Sequence, residues 1–272
     1  MSDKPKYIAV AALSVLVVFS SAFAILSAIR YYSAVNAANT ADKEGNVQHI
    51  AESEQYEPAL SQFEHILTEH EHTASMQPAM QYFQDAVFVG DSRTEGLFLY
   101  SDINTTGAVP YAYRGFTTLD ILNNEKFLSD GKYVTGIDAI EQNRNFTKVY
   151  IMLGVNELSP GGAEEFIERY DSIVKAALET NPDARIIIQS IIPPAKWKSD
   201  ESDYINSKNT ADFNAALLEY AENNGFIWLD VAALLSDKNG NLKDIYDCGD
   251  GIHLTQRAYD VWFEYLCYYT YL

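Results

Sequence analysis

Apolar residues fall into three regimes along the 272-residue chain. From Tyr7 to Ile29 they run almost unbroken for 23 positions without a charge, and from Ala37 to about Ala79 they thin out among acidic residues. From Asp85 onward they recur in short dense runs that alternate with stretches of helical spacing. Each regime predicts a different kind of structure, because apolar length and period report what a segment can bury.

A run of 23 residues is long enough to cross a bilayer core of roughly 30 Å. Lys4 and Lys6 precede it and Arg30 follows, which favours a cytoplasmic N-terminus with the remainder outside. A cleaved signal peptide is the competing reading, since Val35-Asn36-Ala37 resembles a small-residue cleavage site. The run exceeds the roughly 7 to 15 residues of a signal-peptide core, and Arg30-Tyr31-Tyr32 makes an interfacial end. An uncleaved single-pass anchor is therefore preferred, and either reading exports the rest.

The second regime carries Glu44, Glu52, Glu54, Glu57, Glu64, Glu69 and Glu71, and reads as a stalk. Ala59, Leu60, Phe63, Ile66 and Leu67 predict one helix within it, from about Glu57 to His70. His49, His65, His70 and His72 cluster here, but ligands need a supported frame to converge on a metal. No metal and no cofactor are assigned. The organisation expected is residues 1–30 as cytoplasmic tip and anchor, 31–79 as linker, and 80–272 as one domain.

Within that domain, Ala86–Val89, Lys148–Leu153, Ala184–Ile192 and Phe226–Val231 read as strands. Ala163–Thr180, Asn209–Asn223 and Thr255–Tyr271 read as helices. The alternation predicts an α/β fold, a three-layer α/β/α domain around a mostly parallel, flavodoxin-like sheet. In such sheets ligands bind beyond the carboxyl ends of the strands. Ser92 directly follows one predicted strand and Gly154-Val155-Asn156-Glu157 another, so two polar signatures share one rim.

The chain holds 19 basic against 38 acidic residues, a formal net charge of −19. Nucleic acid is excluded as an expected partner, because its phosphates demand a basic face. The two cysteines, Cys248 and Cys267, both lie in the exported part. That compartment permits a disulfide, and two reduced thiols fit as well.

A serine hydroxyl is a poor nucleophile until a base takes its proton and a third group orients that base. Gly90-Asp91-Ser92 offers the serine, and Asp250-Gly251-Ile252-His253 offers both partners within one short loop. Taken singly, each has an ordinary explanation: a helix cap at Asp91 or Ser92, an Asx turn at Asn156, a packed histidine at His253. Their order argues for one site. Together with Gly115 in Tyr113-Arg114-Gly115-Phe116 and with Asn156, they resemble the four sequence blocks of the SGNH (GDSL-like) hydrolases, from about Asp85 to the C-terminus.

The resemblance implies that Ser92 is the nucleophile, His253 the general base and Asp250 its orienting carboxylate. It further implies an oxyanion hole made by the backbone N–H groups of Ser92 and Gly115 and the side-chain amide of Asn156. Three positions depart from the family pattern. Glu157 replaces the usual aspartate, Tyr113-Arg114 replaces an asparagine near the glycine, and Arg93 follows the serine. Arg93 is expected to pair with one of the many acids, the alternative being an anionic group of the substrate.

Pro193 to Asn209 is a long polar stretch on the same rim, with Trp197 and Tyr204. It reads equally as a substrate wall or as a surface loop with one anchoring tryptophan. No long apolar lid lies near the site, which suits a modest ester, such as an acetyl group on carbohydrate or cell-wall glycan, better than a lipid. The expected function is a membrane-anchored extracytoplasmic serine esterase working through an acyl-enzyme. The alternatives are an O-acyltransferase with the same triad, a lysophospholipase or thioesterase, and a catalytically silent surface-binding module.

Overall fold

A computed structural model describes residues 77–269. The anchor expected at 1–30 and the stalk with its helix at 57–70 lie outside these residues. Among the described residues no helix is long and apolar enough to cross a membrane.

Helix α1 (Gln77–Tyr82) leads into strand β1 (Ala86–Gly90), which is buried along its whole length. After helix α2 (Ser92–Tyr100) comes β2 (Val109–Ala112), and after β5 (Lys148–Met152) come helix α5 (Ala163–Thr180) and β6 (Arg185–Gln189). Helix α6 (Lys196–Glu201), helix α7 (Ser207–Asn224), β7 (Ile227–Leu229), helix α8 (Val231–Leu235) and helix α9 (Gln256–Tyr269) complete the chain. Between β2 and β5 lie helix α3 (Thr118–Asn123), the hairpin strands β3 (Phe127–Ser129) and β4 (Lys132–Val134), and helix α4 (Gly136–Gln142).

The sheet order is β2-β1-β5-β6-β7, and every neighbouring pair is parallel. This is the flavodoxin-like order, with its switch point between β1 and β5. The alternating elements thus give the expected α/β fold. Strands covered on both faces read as continuous apolar runs, and β1 and β5 are buried at every position.

The two faces of the strands separate two cores. Val87, Val89, Val149, Ile151, Ile186 and Ile188 pack with Phe166, Tyr170 and Ile173 of α5 and Phe213 and Leu217 of α7. The intervening residues face the other way: Phe88 stacks on Tyr150 with ring centroids 4.5 Å apart, and Phe83, Phe98 and Phe263 close around them. Each such side chain removed from water is worth about 1.5–3 kcal/mol. Three layers follow from this period-2 division.

The strand β2 was not among the predicted ones. It is the sheet edge, half exposed, and carries Pro110. An edge strand tolerates proline and needs no long apolar run. The stretch from Pro193 to Asn209 is not one loop, since it holds α6 and the start of α7. Cys248 is exposed and Cys267 is buried in α9, and they are not joined by a disulfide.

Candidate active site

The chain turns at the end of β1 directly into helix α2. Asp91, 1% exposed, is the helix N-cap, its carboxylate accepting the N–H of Arg93 at 2.9 Å. Ser92 is therefore the first helical residue, and its N–H is one of those that an α-helix leaves without an intrahelical acceptor. Burial pushes the carboxyl of Asp91 up to about 6, against the opposing pull of Arg93 and its own hydrogen bond to the Arg93 N–H.

At the other end of the domain, the loop before α9 brings Asp250 and His253 to the same place. Asp250 accepts the backbone N–H groups of Ile252 at 2.9 Å and His253 at 2.8 Å through Oδ1, and the Nδ1–H of His253 at 2.5 Å through Oδ2. Burial raises its carboxyl, but these three donors outweigh that and hold it at about 2. A carboxylate on Nδ1 fixes the tautomer that leaves the Nε2 lone pair free to accept. Nε2 lies 3.0 Å from Ser92 Oγ, within range of the hydroxyl proton. The three residues that the resemblance singled out are thus one hydrogen-bonded relay, across 161 positions of sequence.

Among the described residues Arg93 forms no salt bridge with an acid. Fully buried, it donates Nε and Nη2 to the carbonyl of Ile252 at 3.0 and 2.9 Å, and Nη1 to the carbonyl of Ile192. This corrects the sequence expectation. The guanidinium ties the helix that carries Ser92 to the loop that carries His253.

Trp197 anchors its helix to the loop that leads to His253. Its Nε1–H donates to Asp247 Oδ2 at 3.1 Å, while Asp247 Oδ1 accepts the N–H groups of Gly249 and Gly251. A Cβ on Gly251 would come within 2.5 Å of Lys198 Cβ, so α6 presses directly on the histidine loop. Asp247, Cys248 and Asp250 bring their ligand atoms within 4.8 Å of one another, but the carboxylates are engaged in these loop bonds.

Gly115 and Asn156 line the same cleft as Ser92 and His253, a cavity of about 800 Å³. Gly115 has φ +75 in the turn closed by Phe116 N–H on the Tyr113 carbonyl at 3.2 Å. With Arg114 at ordinary φ, this is a type II turn, whose third position requires left-handed backbone. A Cβ there would meet nothing, so the glycine is needed for its conformation rather than for packing. Asn156 Nδ2 donates to the carbonyl of Phe116 at 2.9 Å, which ties the β5 loop to this turn and still leaves its second amide hydrogen.

Glu157 extends that link. Its carboxylate accepts Thr118 N–H and Oγ1–H, each at 2.7 Å, and meets Arg169 of α5 at 3.2 Å. The extra methylene relative to aspartate is what lets one side chain cap the start of α3 from the end of β5. Arg93, Glu157 and Trp197 were legible in sequence only as residue types, since each acts on a partner far away along the chain.

Comparison with known proteins bears on the family and the fold. The family model described as GDSL-like Lipase/Acylhydrolase matches residues 88–261. No curated protein matches the chain. Solved structures share the fold: a protein assigned as an acylhydrolase from Bacteroides fragilis is 20% identical, with a TM-score of 0.53 over 69% of this chain and 88% of that one. A GDSL-like lipase from Bacteroides thetaiotaomicron is 19% identical, with a TM-score of 0.52 over 78% of this chain and 98% of the other.

Proposed function

As the chain belongs to the GDSL-like lipase/acylhydrolase family and is a serine hydrolase of ester bonds, we propose that Ser92 is its nucleophile, His253 its general base and Asp250 the carboxylate that orients His253. The observation that carries the reading is the relay from Ser92 Oγ through Nε2 and Nδ1 to Asp250 Oδ2, at 3.0 and 2.5 Å.

In this reaction Ser92 Oγ attacks the ester carbonyl while its proton passes to Nε2. The oxyanion accepts hydrogen bonds from Ser92 N–H, Gly115 N–H and the Asn156 amide. Each such donor lowers the barrier by about 3–4 kcal/mol. Collapse breaks the bond to the alcohol, which leaves with the proton from Nε2. Water, deprotonated in turn by His253, then releases the acid and restores Ser92.

The substrate proposed is a small acyl ester, acetyl above all, on carbohydrate or cell-wall glycan. Support comes from the open cleft: the side chain of His253 is 46% exposed and that of Asp250 50%. Water reaches an acyl-enzyme there, which favours hydrolysis over transfer. The apolar run from Tyr7 to Ile29, with lysines before it, supports anchoring of the enzyme in the cell membrane with its catalytic domain outside.

The test is hydrolysis of p-nitrophenyl acetate and acetate release from O-acetylated polysaccharide by the purified protein, beside Ser92→Ala. The expected result is turnover that disappears in Ser92→Ala. Turnover that survives the substitution would overturn the assignment, and a preference for long-chain nitrophenyl esters would overturn the acetyl reading. Membrane fractionation with external protease digestion checks the topology.

A further inference from the structure

Arg114 stands at the second position of the turn whose third residue is Gly115, and both line the cleft beside Ser92. Its placement is fixed from three sides. Phe116 N–H closes the turn on Tyr113, Tyr113 N–H donates to the Gly90 carbonyl at 3.3 Å, and Asn156 holds the Phe116 carbonyl. A guanidinium on so constrained a turn projects from a defined point next to the proposed oxyanion donors.

Its charge is unanswered. Among the described residues Lys148, Arg169, Lys175, Lys196 and Lys208 each pair with a carboxylate while Arg144 and Arg257 do not, and of the residues that line the cleft Arg114 is the one Lys or Arg. Arg114 is exposed and has no carboxylate within ion-pair distance among the described residues, in a chain with twice as many acids as bases. Lys126 lies over the ring of Tyr113, the residue before Arg114, at 5.5 Å. Glu95, one helical turn beyond Ser92, lines the cleft too and repels negative charge from its own side.

We propose that Arg114 is a specificity-determining residue that binds a carboxylate or phosphate carried by the substrate, so that the preferred substrate is an anionic acyl ester. This rests on Ser92 being the nucleophile and deepens that reading from any small ester to an acylated acidic saccharide or polyol. Arginine suits the task because its planar fork matches both oxyanions with two hydrogen bonds. The bond strengthens when solvent is displaced by the bound substrate.

The experiment compares kcat/KM of the full-length protein for 4-nitrophenyl acetate with that for 3-carboxy-4-nitrophenyl acetate, and with an acetoxyphenyl phosphate as the phosphate arm. One of the anionic esters is expected to exceed the neutral ester, and Arg114→Ala to lower the anionic-to-neutral ratio by about tenfold or more, chiefly through KM. Arg114→Lys is expected to keep an intermediate ratio, and added salt to erode the wild-type preference by screening. Which anionic arm is favoured separates carboxylate from phosphate recognition.

A wild-type ratio at or below one for both anions, or a ratio unchanged in Arg114→Ala, overturns the inference. Binding of the same esters to Ser92→Ala, measured by calorimetry with and without Arg114→Ala, gives the comparison without turnover. Failure of Ser92→Ala to abolish hydrolysis strikes the nucleophile assignment, whereas failure of the charge preference strikes only Arg114.

Discussion

Arg93 and Ile252, 159 positions apart, are joined by two hydrogen bonds from one guanidinium to one carbonyl. The residue directly after the proposed nucleophile thus holds the residue directly before the proposed base. Register between Ser92 and His253 is set by a buried charged donor rather than by packing alone. A lysine has a single ammonium and cannot serve both the Ile252 and Ile192 carbonyls in this planar geometry. Arg93→Lys is expected to cost about 2–4 kcal/mol of stability, as buried acceptors lose their charged donor. It should also cut kcat at least about tenfold, since small misplacements of a base are costly. Denaturant unfolding and nitrophenyl acetate kinetics check both, and unchanged kcat in a destabilised variant would confine Arg93 to folding.

Asp250 titrates far below the working range. Its folded value, about 2, is depressed by the His253 and Ile252 donors despite burial. A depressed carboxyl contributes stability that is present above its unfolded value, near the usual carboxylate range, and lost as pH falls through about 2. Between about pH 4 and neutrality Asp250 stays ionised, so the acid limb of kcat/KM is expected to carry no contribution from Asp250. Asp250→Asn is expected to lower kcat by about 10³–10⁴-fold through the wrong tautomer. A pH profile from 4 to 9, run for the wild type and for Asp250→Asn, checks it, and an acid-limb titration present in the wild type and lost in Asp250→Asn would contradict it.

Glu157 and Thr118 offer a coupled pair. Glu157→Asp falls one methylene short of the Thr118 N–H and Oγ1–H and is expected to cost about 1–3 kcal/mol. Because both partners belong to one network, Thr118→Ala added to it should cost much less than it does alone. A double-mutant cycle by chemical denaturation tests this, and additive losses would show that the contact carries no coupling.

Gly115 and Gly225 separate strain from function. Both have positive φ, +75 and +69, and at neither would a Cβ meet another atom. Alanine at either is expected to cost about 1–2 kcal/mol for left-handed backbone. Gly225 ends α7 and is not among the residues that line the cleft, so Gly225→Ala should lower the melting temperature with kcat retained. Gly115→Ala should lower both, through movement of its N–H. Equal kcat in the two variants would remove Gly115 from the oxyanion hole.

The chain's own periodicity determined most of the architecture. Helix α5 spans the predicted Ala163–Thr180, and the strands at Ala86 and Lys148 begin where their apolar runs begin. These elements are buried on faces whose period sequence spacing reports directly. Asp250 and His253 were legible for the same local reason, since three residues in one loop suffice to join them. The hairpin β3–β4 also had a local signal, Asp130-Gly131, both at positive φ as a tight primed turn requires.

Only the tertiary structure decided what the remaining site residues do. Edge strand β2 is four residues long and interrupted by Pro110, yet it delivers Gly115 and Arg114 to the cleft. Arg93, Glu157 and Trp197 take their meaning from acceptors or donors 159, 39 and 50 positions away. A hydrogen bond across such a span depends on how strands are ordered and helices packed. Sequence spacing carries local geometry, and the chain must fold before distant polar groups acquire partners.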